Sequence, residues 1–185
     1  MVPFQADHIR PTTDRVKETL FNKLMGRVEG ARVLDLFSGT GNLAIECISR
    51  AALWVDLVEN HKRSLAILRE NFAKLKITEG FKVHPTDAFS YISSYRGLPY
   101  DLVLADPPFT EAWGDELALK IGASSLLDAD SIVVIEASSK ENVSEHYPGL
   151  NRLDQRSFGD KHLHFFTSAG TPRGERSATE TDGRP

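Results

Sequence analysis

The sequence predicts an α/β fold: a doubly wound, mostly parallel sheet with helices on both faces and an antiparallel hairpin at its C-terminal end. Three observations carry this. The apolar runs ARVLDLF (31–37), LWVDLVE (53–59), YDLVLAD (100–106) and SIVVIEA (131–137) are short and show little polar alternation, as strands buried on both faces do. Segments of helical periodicity separate them, and strand–helix repetition at this spacing builds a parallel sheet. A glycine turn, Gly39-Thr40-Gly41, follows the first run directly.

Each element follows from local chemistry. Pro11-Thr12-Thr13-Asp14 opens a helix, because proline cannot continue one, threonine caps and Asp14 suits the first turn. Val16, Leu20, Phe21, Leu24 and Met25 then share one face, and Gly26 or Gly30 ends the helix. The segment NLAIECISR continues the glycine turn as a helix. HKRSLAILRENFAKLKI (61–77) is amphipathic, with Leu65, Leu68, Phe72 and Leu75 inside. FKVHP (81–85) reads as a short strand, residues 88–95 as a helix and 111–125 as another. RLDQRSF and HLHFFTS, flanking Gly159-Asp160, read as a terminal hairpin on the sheet edge. From Ala169 no Val, Ile, Leu, Met or aromatic residue occurs, so 169–185 is expected to be a disordered polar tail after one domain spanning 1–168.

Composition narrows the class. The 185 residues are 41% hydrophobic and 26% charged, as in a single globular domain. One cysteine excludes a disulfide framework and points to a reducing compartment. The apolar runs are too short to span a membrane, and MVPFQADHIR lacks the apolar region of a signal peptide. A cytoplasmic, monomeric protein is expected. The net charge is −4, yet residues 8–27 carry Arg10, Arg15, Lys17, Lys23 and Arg27 against Asp14 and Glu18. A basic entry segment can touch phosphate, although a solvated helix face is the simpler reading.

Two sites emerge at strand ends, where open parallel sheets bind ligands. At the first, Gly39 and Gly41 let a ligand lie against the backbone. Glu59, ending the second strand, is placed to accept from both hydroxyls of a ribose, and Asp87 after the third strand to meet a purine edge. Gly39 to Ala44 satisfies the dinucleotide pattern G-x-G-x-x-[GA], which keeps a nicotinamide oxidoreductase as an alternative. Asp35 argues otherwise. A carboxylate beside the turn suits an ammonium or sulfonium better than a pyrophosphate, so S-adenosylmethionine fits, its amino group held by Asp35 directly or through water.

The second site is Asp106-Pro107-Pro108-Phe109. Two prolines fix the backbone and offer no N–H, leaving a rigid shelf of carboxylate, carbonyl and aromatic face. The Asp106 carboxylate and the Pro107 carbonyl can hold both N–H groups of an exocyclic base amine. They turn its lone pair toward a methyl donor and stabilise the charge that develops on nitrogen, while Phe109 stacks on the base. No metal is expected, since no ligand spacing suggests one. Cys47 reads as core, His162 and His164 as a pair on an edge strand, and Trp113 as a helix anchor.

With these residues in view, the chain resembles class I methyltransferases. More closely it resembles the bacterial 16S ribosomal RNA guanine-N2 methyltransferase family (RsmD-like). The carriers are RPTTDRVKETLFNKL (10–24), DLFSGTGNLAIE (35–46), LVEN (57–60), TDAF (86–89) and DPPF (106–109). The resemblance spans about residues 10–168 and implies a Rossmann-like, seven-stranded sheet, S-adenosylmethionine as donor, and ribosomal RNA or the small ribosomal subunit as partner. It implies that Asp35, Phe37, Ser38, Gly39 and Gly41 line the methionine end, that Glu59 and Asn60 meet the ribose, and that Asp87 and Ala88 meet the adenine. Asp106, Pro107, Pro108 and Phe109 would face the target base and Asp106 also the cofactor. Arg10, Thr12, Thr13 and Arg15, within a helix over the cofactor site (10–26), would contact cofactor or RNA. DPPF is shared with DNA adenine-N6 methyltransferases, so DNA is the near alternative, and a non-catalytic ribosome-assembly module is another. Family members usually carry a basic, glycine-rich segment before RPTTDRV; here none of the nine residues before Arg10 is Lys or Arg. A truncated start, a different grip on RNA and a different substrate all remain open.

Overall fold

In the computed structural model, which describes residues 14–169, the first strand β1 (Arg32–Leu36) lies at the centre of the sheet. From Val33 to Leu36 it is almost wholly inaccessible. It pairs in parallel with β2 (Trp54–Val58) on one side and β4 (Tyr100–Ala105) on the other. Further out, β2 pairs with β3 (Phe81–His84) and β4 with β5 (Leu127–Ser138), again in parallel. The chain then reverses. β8 (Lys161–Ser168) runs antiparallel to β5, β7 (Leu150–Phe158) to β8, and the two-residue β6 (His146–Tyr147) to β7. The order is β3-β2-β1-β4-β5-β8-β7-β6.

Five helices cover the two faces. α1 (Asp14–Lys23), α2 (Asn42–Ser49) and α3 (Lys62–Lys74) bury Val16, Leu20, Phe21, Leu43, Cys47, Leu68 and Phe72 on one face. α4 (Ala88–Ser94) and α5 (Gly114–Gly122) bury Tyr91, Ile92, Leu117 and Ile121 on the other. The order reverses between β1 and β4, so the crevice that a doubly wound sheet offers a ligand opens at their carboxyl ends.

Four expectations are corrected. The sheet has eight strands, the additional β6 being too short to leave a periodic signal. β8 lies inside the sheet between β5 and β7, so His162 and His164 do not sit on an edge strand. Met25 and Leu75 are 85% and 53% exposed: each follows the last helical residue, where the chain has left the helical course that would aim it inward. α5 begins at Gly114 rather than 111, because Pro108 to Ala112 are taken by a turn closed by the Glu111 N–H on the Pro108 carbonyl. Arg10, Thr12, Thr13 and most of the polar tail lie outside the described residues.

A buried polar cluster fixes β2 beside α4. Asp56, 5% exposed, accepts from the Tyr100 hydroxyl at 2.8 Å and Trp54 Nε1 at 3.1 Å, and its other oxygen lies 2.7 Å from His84 Nε2. Tyr100 in turn meets the Tyr91 hydroxyl at 2.7 Å. Asp56→Ala strands these donors away from water and is expected to cost about 2–4 kcal/mol in urea unfolding, with Asp56→Asn costing less. Equal stability of Asp56→Ala and wild type would mean that the cluster contributes no fixing.

Candidate active site

Backbone geometry builds the glycine turn. Phe37, Gly39 and Gly41 all have positive φ (61°, 54° and 81°), so the chain doubles back immediately after β1. Gly41 is required for a second reason. A Cβ there would stand 2.9 Å from Phe72 and 3.2 Å from Leu68. Ser38 fastens the turn through its N–H to the Val58 carbonyl at 3.0 Å and its hydroxyl to the Asp35 carbonyl at 2.7 Å. Asn71, buried on the apolar face of α3, donates to the Thr40 carbonyl at 3.1 Å. Gly41 is the N-cap of α2 and brings no capping side chain; in the first turn the Ala44 N–H bonds instead to the carboxyl of Asp35.

Glu59 ties this turn to β2. One carboxylate oxygen accepts from the Gly39 N–H at 2.8 Å, the other from the His61 N–H at 2.7 Å. Each oxygen keeps acceptor capacity for a further donor. Asn60 follows, exposed. Asp87 is the N-cap of α4 and accepts from the Ser90 N–H at 2.9 Å, with Ala88 buried beside it.

Asp35 is the most unusual group in the site. It is 1% exposed, and its Oδ2 is buried with no hydrogen-bond partner. Burial first, then the negative charge of Asp106, push its carboxyl up to about 8, with Glu59 adding to the rise and the Ala44 N–H opposing it. A buried carboxyl with one unpartnered oxygen, at the start of a helix whose N-cap glycine supplies no capping side chain, can accept from the ammonium of an amino acid, and so fits the methionine end of S-adenosylmethionine.

The shelf stands next to it. The Asp106 N–H continues the β4 ladder to the Leu36 carbonyl at 3.5 Å, which sets Asp106 alongside the start of the glycine turn. Pro107 is buried, Pro108 exposed and Phe109 half-buried. One face of the Phe109 ring carries Lys161 Nζ, 3.9 Å from its centroid. Phe37, Phe89 and Trp113 form an aromatic cluster, with Phe37 and Trp113 stacked at 5.7 Å, in keeping with an anchoring role for Trp113.

Other candidates resolve as structure. Cys47 is fully buried, and burial raises its thiol far above the range of reactive cysteines. His164 is 2% exposed and pushed down to about 4 by burial and by Arg152. Of the basic residues on α1, Lys17 pairs with Glu46 and Lys23 with Asp154, while Arg15 lines a cavity of about 310 Å³ against the β7–β8 turn. Beside Asn71, two residues next to the shelf escaped the sequence reading, Glu136 and Lys161. The visible signal was a lone acid inside the apolar run SIVVIEA and a lysine opening an apolar strand.

Comparison with known proteins decides the family. The family described as conserved hypothetical protein 95 matches residues 1–167. The chain belongs to that family. A ribosomal RNA small subunit methyltransferase D from Buchnera aphidicola is 30% identical over 136 residues, 74% of this chain and 71% of that protein. The protein of the same name from Escherichia coli K12 is 34% identical over 129 residues, 70% of this chain but only 64% of its own length, just under two thirds. Among solved structures, the putative methyltransferase yhhF from Escherichia coli superposes with a TM-score of 0.77 at 28% identity, over 90% of this chain and 92% of that one. The fold is therefore the Rossmann-like methyltransferase fold, as the motifs predicted.

The raised carboxyl of Asp35 has a consequence for stability. Above about pH 4 the unfolded chain releases this proton while the folded chain keeps it until about 8, so the group lowers stability progressively as pH rises through that window. Asp35→Asn is expected to gain stability over wild type increasingly from pH 5 to 8 in urea unfolding of the ligand-free protein. A constant difference across that range would show that Asp35 titrates normally.

Proposed function

We propose that the chain is an S-adenosylmethionine-dependent methyltransferase that acts on the exocyclic amine of a guanine in small-subunit ribosomal RNA. The observation that carries this reading is the adjacency of the buried Asp35 carboxyl, one oxygen of which has no partner, at the end of β1 and the Asp106-Pro107-Pro108-Phe109 shelf at the end of β4. The names of the family relatives support the choice of ribosomal RNA over DNA and of methyl transfer over hydride transfer.

S-adenosylmethionine bound in the crevice supplies an electrophilic methyl on a positive sulfur. The chain's own groups do the rest. Asp35 receives the amino group and the first N–H groups of α2 the carboxylate. Glu59 accepts from the ribose hydroxyls while holding Gly39 in place. Asp87 and Ala88 border the adenine. Asp106 and the Pro107 carbonyl accept the two N–H groups of the guanine amine, which aims its lone pair at the methyl and offsets the positive charge that grows on nitrogen. Phe109 stacks on the extruded base through the ring face opposite Lys161. Positioning accounts for much of the acceleration, since the reaction is an in-line displacement. On this reading the protein works in the cytoplasm on the small ribosomal subunit or its RNA. No helix among the described residues is long and apolar enough to cross a membrane.

The test is transfer of labelled methyl to undermethylated small subunits, their free RNA and unmethylated DNA. Wild type is expected to yield N2-methylguanine in the RNA. Asp106→Ala should lose about 100-fold or more in rate while binding cofactor within about two-fold of wild type. Label in DNA alone would overturn the substrate, and parallel loss of cofactor affinity in Asp106→Ala would overturn the division of labour between the two sites.

A further inference from the structure

Behind the shelf lies a buried ion pair. Glu136 stands near the carboxyl end of β5, 4% exposed, and Lys161 opens β8, 5% exposed. In the β5–β8 register Glu136 faces Leu163, which sets Lys161 two residues away on the same side of the sheet. Lys161 Nζ donates to Glu136 Oε1, and the same ammonium lies over the Phe109 ring at 3.9 Å. The carboxyl of Glu136 is also hydrogen-bonded to Asp106. One connected unit therefore touches both parts of the shelf that grip the acceptor. Stability is a poor reason for it, because apolar residues of similar volume often hold a fold as well as a buried ion pair does.

We propose that Glu136 and Lys161 are positioning residues for methyl transfer: Lys161 fixes the plane of the Phe109 ring from the face away from the base, and Glu136 fixes the Asp106 carboxyl that accepts from the amine. The inference rests on the function proposed above and deepens it. Two hydrogen-bonded carboxyls share a proton unless a cation opposes it, and a proton on the shelf blocks an oxygen that must accept the amine N–H. Lys161 is the opposing cation. Burial and Asp106 push Glu136 up, Lys161 pulls it back, and the balance leaves it at about 7. The charged groups around the unit are Asp106 after β4, Asp35 on β1, and Arg15 and Asp160, which line the cavity on which Lys161 also opens. Leu20 of α1, Leu43 of α2 and Leu163 of β8 contribute only apolar contact.

The experiment uses the full chain with Lys161→Met, which keeps length and removes charge, and the isosteric Glu136→Gln as a second variant. Single-turnover transfer is followed from pH 5.5 to 9, cofactor affinity by calorimetry, and the carboxyl carbons of Glu136 and Asp106 by NMR. Wild type is expected to lose rate on the acid side with a midpoint near the value of about 7 for Glu136. Lys161→Met should bind cofactor normally, transfer about 10-fold or more slowly at neutral pH, and move that midpoint up by about one unit. Glu136→Gln should lose the limb altogether. A rate reduced equally at every pH with the limb unmoved, or a rate unchanged, overturns the proposal. Should wild type methylate no acceptor, the proposed function fails, and the carboxyl titration still decides this inference: a shared proton lost near neutrality and moved up in Lys161→Met sustains it, and two independent titrations at ordinary carboxylate values overturn it. If Lys161→Met does not fold, Glu136→Gln and the wild-type titration decide between the same two outcomes.

Discussion

Three carboxyls, Asp35, Asp106 and Glu136, stand at or near the carboxyl ends of three adjacent strands, and the charge they cannot all carry at once organises the site around them. Asp35 and Glu136 are almost inaccessible, and Asp106 raises the carboxyls of both. A sheet edge arranged this way is unfavourable until cations arrive. The chain supplies one itself, Lys161, which reaches across from β8 to Glu136. In the proposed function the remaining deficit at Asp35 is met by a ligand that brings positive charge, which S-adenosylmethionine does twice, at its amino group and at its sulfur. The same negative environment favours the transition state of amine methylation, where positive charge moves onto the acceptor nitrogen.

The rest of the architecture keeps those carboxyls at fixed separations. Parallel pairing of β1 with β4 sets Asp35 opposite Leu104, two residues before Asp106 on the same side of the sheet, and the Ser38 and Asn71 bonds fasten the glycine turn that follows. The antiparallel return of β8 is what delivers Lys161, so the C-terminal hairpin belongs to the site as much as to the sheet. α1 closes the same face. Val16 and Leu20 are buried there, the Arg50 guanidinium lies over Phe21, and Lys23 is tied to β7 through Asp154. Two of its basic side chains are thus engaged within the protein, and Arg15 is the one that lines a cavity next to Lys161.

Much of this could be read without coordinates, for identifiable reasons. The central strands announced themselves because burial on both faces leaves no polar alternation. The glycine turn and DPPF were visible because they demand unusual backbone chemistry at contiguous positions. Asp87 shows the limit of such reading: its position just after the third strand was legible, but its hydrogen bond as the cap of α4 was not. Glu136, Lys161 and Asn71 were missed because each is a polar residue within an otherwise apolar face, and a linear sequence does not tell which partner crosses the sheet to meet it. Met25 and Leu75 failed for the opposite reason, since helical periodicity was extended one or two residues past the true ends. The two-residue β6 exists only through its pairing with β7.

The central claim is that Asp35 is kept protonated in the free protein and gives up its proton to receive the cationic end of S-adenosylmethionine. Calorimetry of cofactor binding at neutral pH, in two buffers of different ionisation enthalpy, tests it directly. The account predicts a buffer-dependent heat equivalent to nearly one proton released, shrinking toward zero above the carboxyl's value of about 8, and absent in an Asp35→Asn variant that binds more weakly. Tight binding with a heat independent of buffer, or a proton released equally by Asp35→Asn, would contradict it.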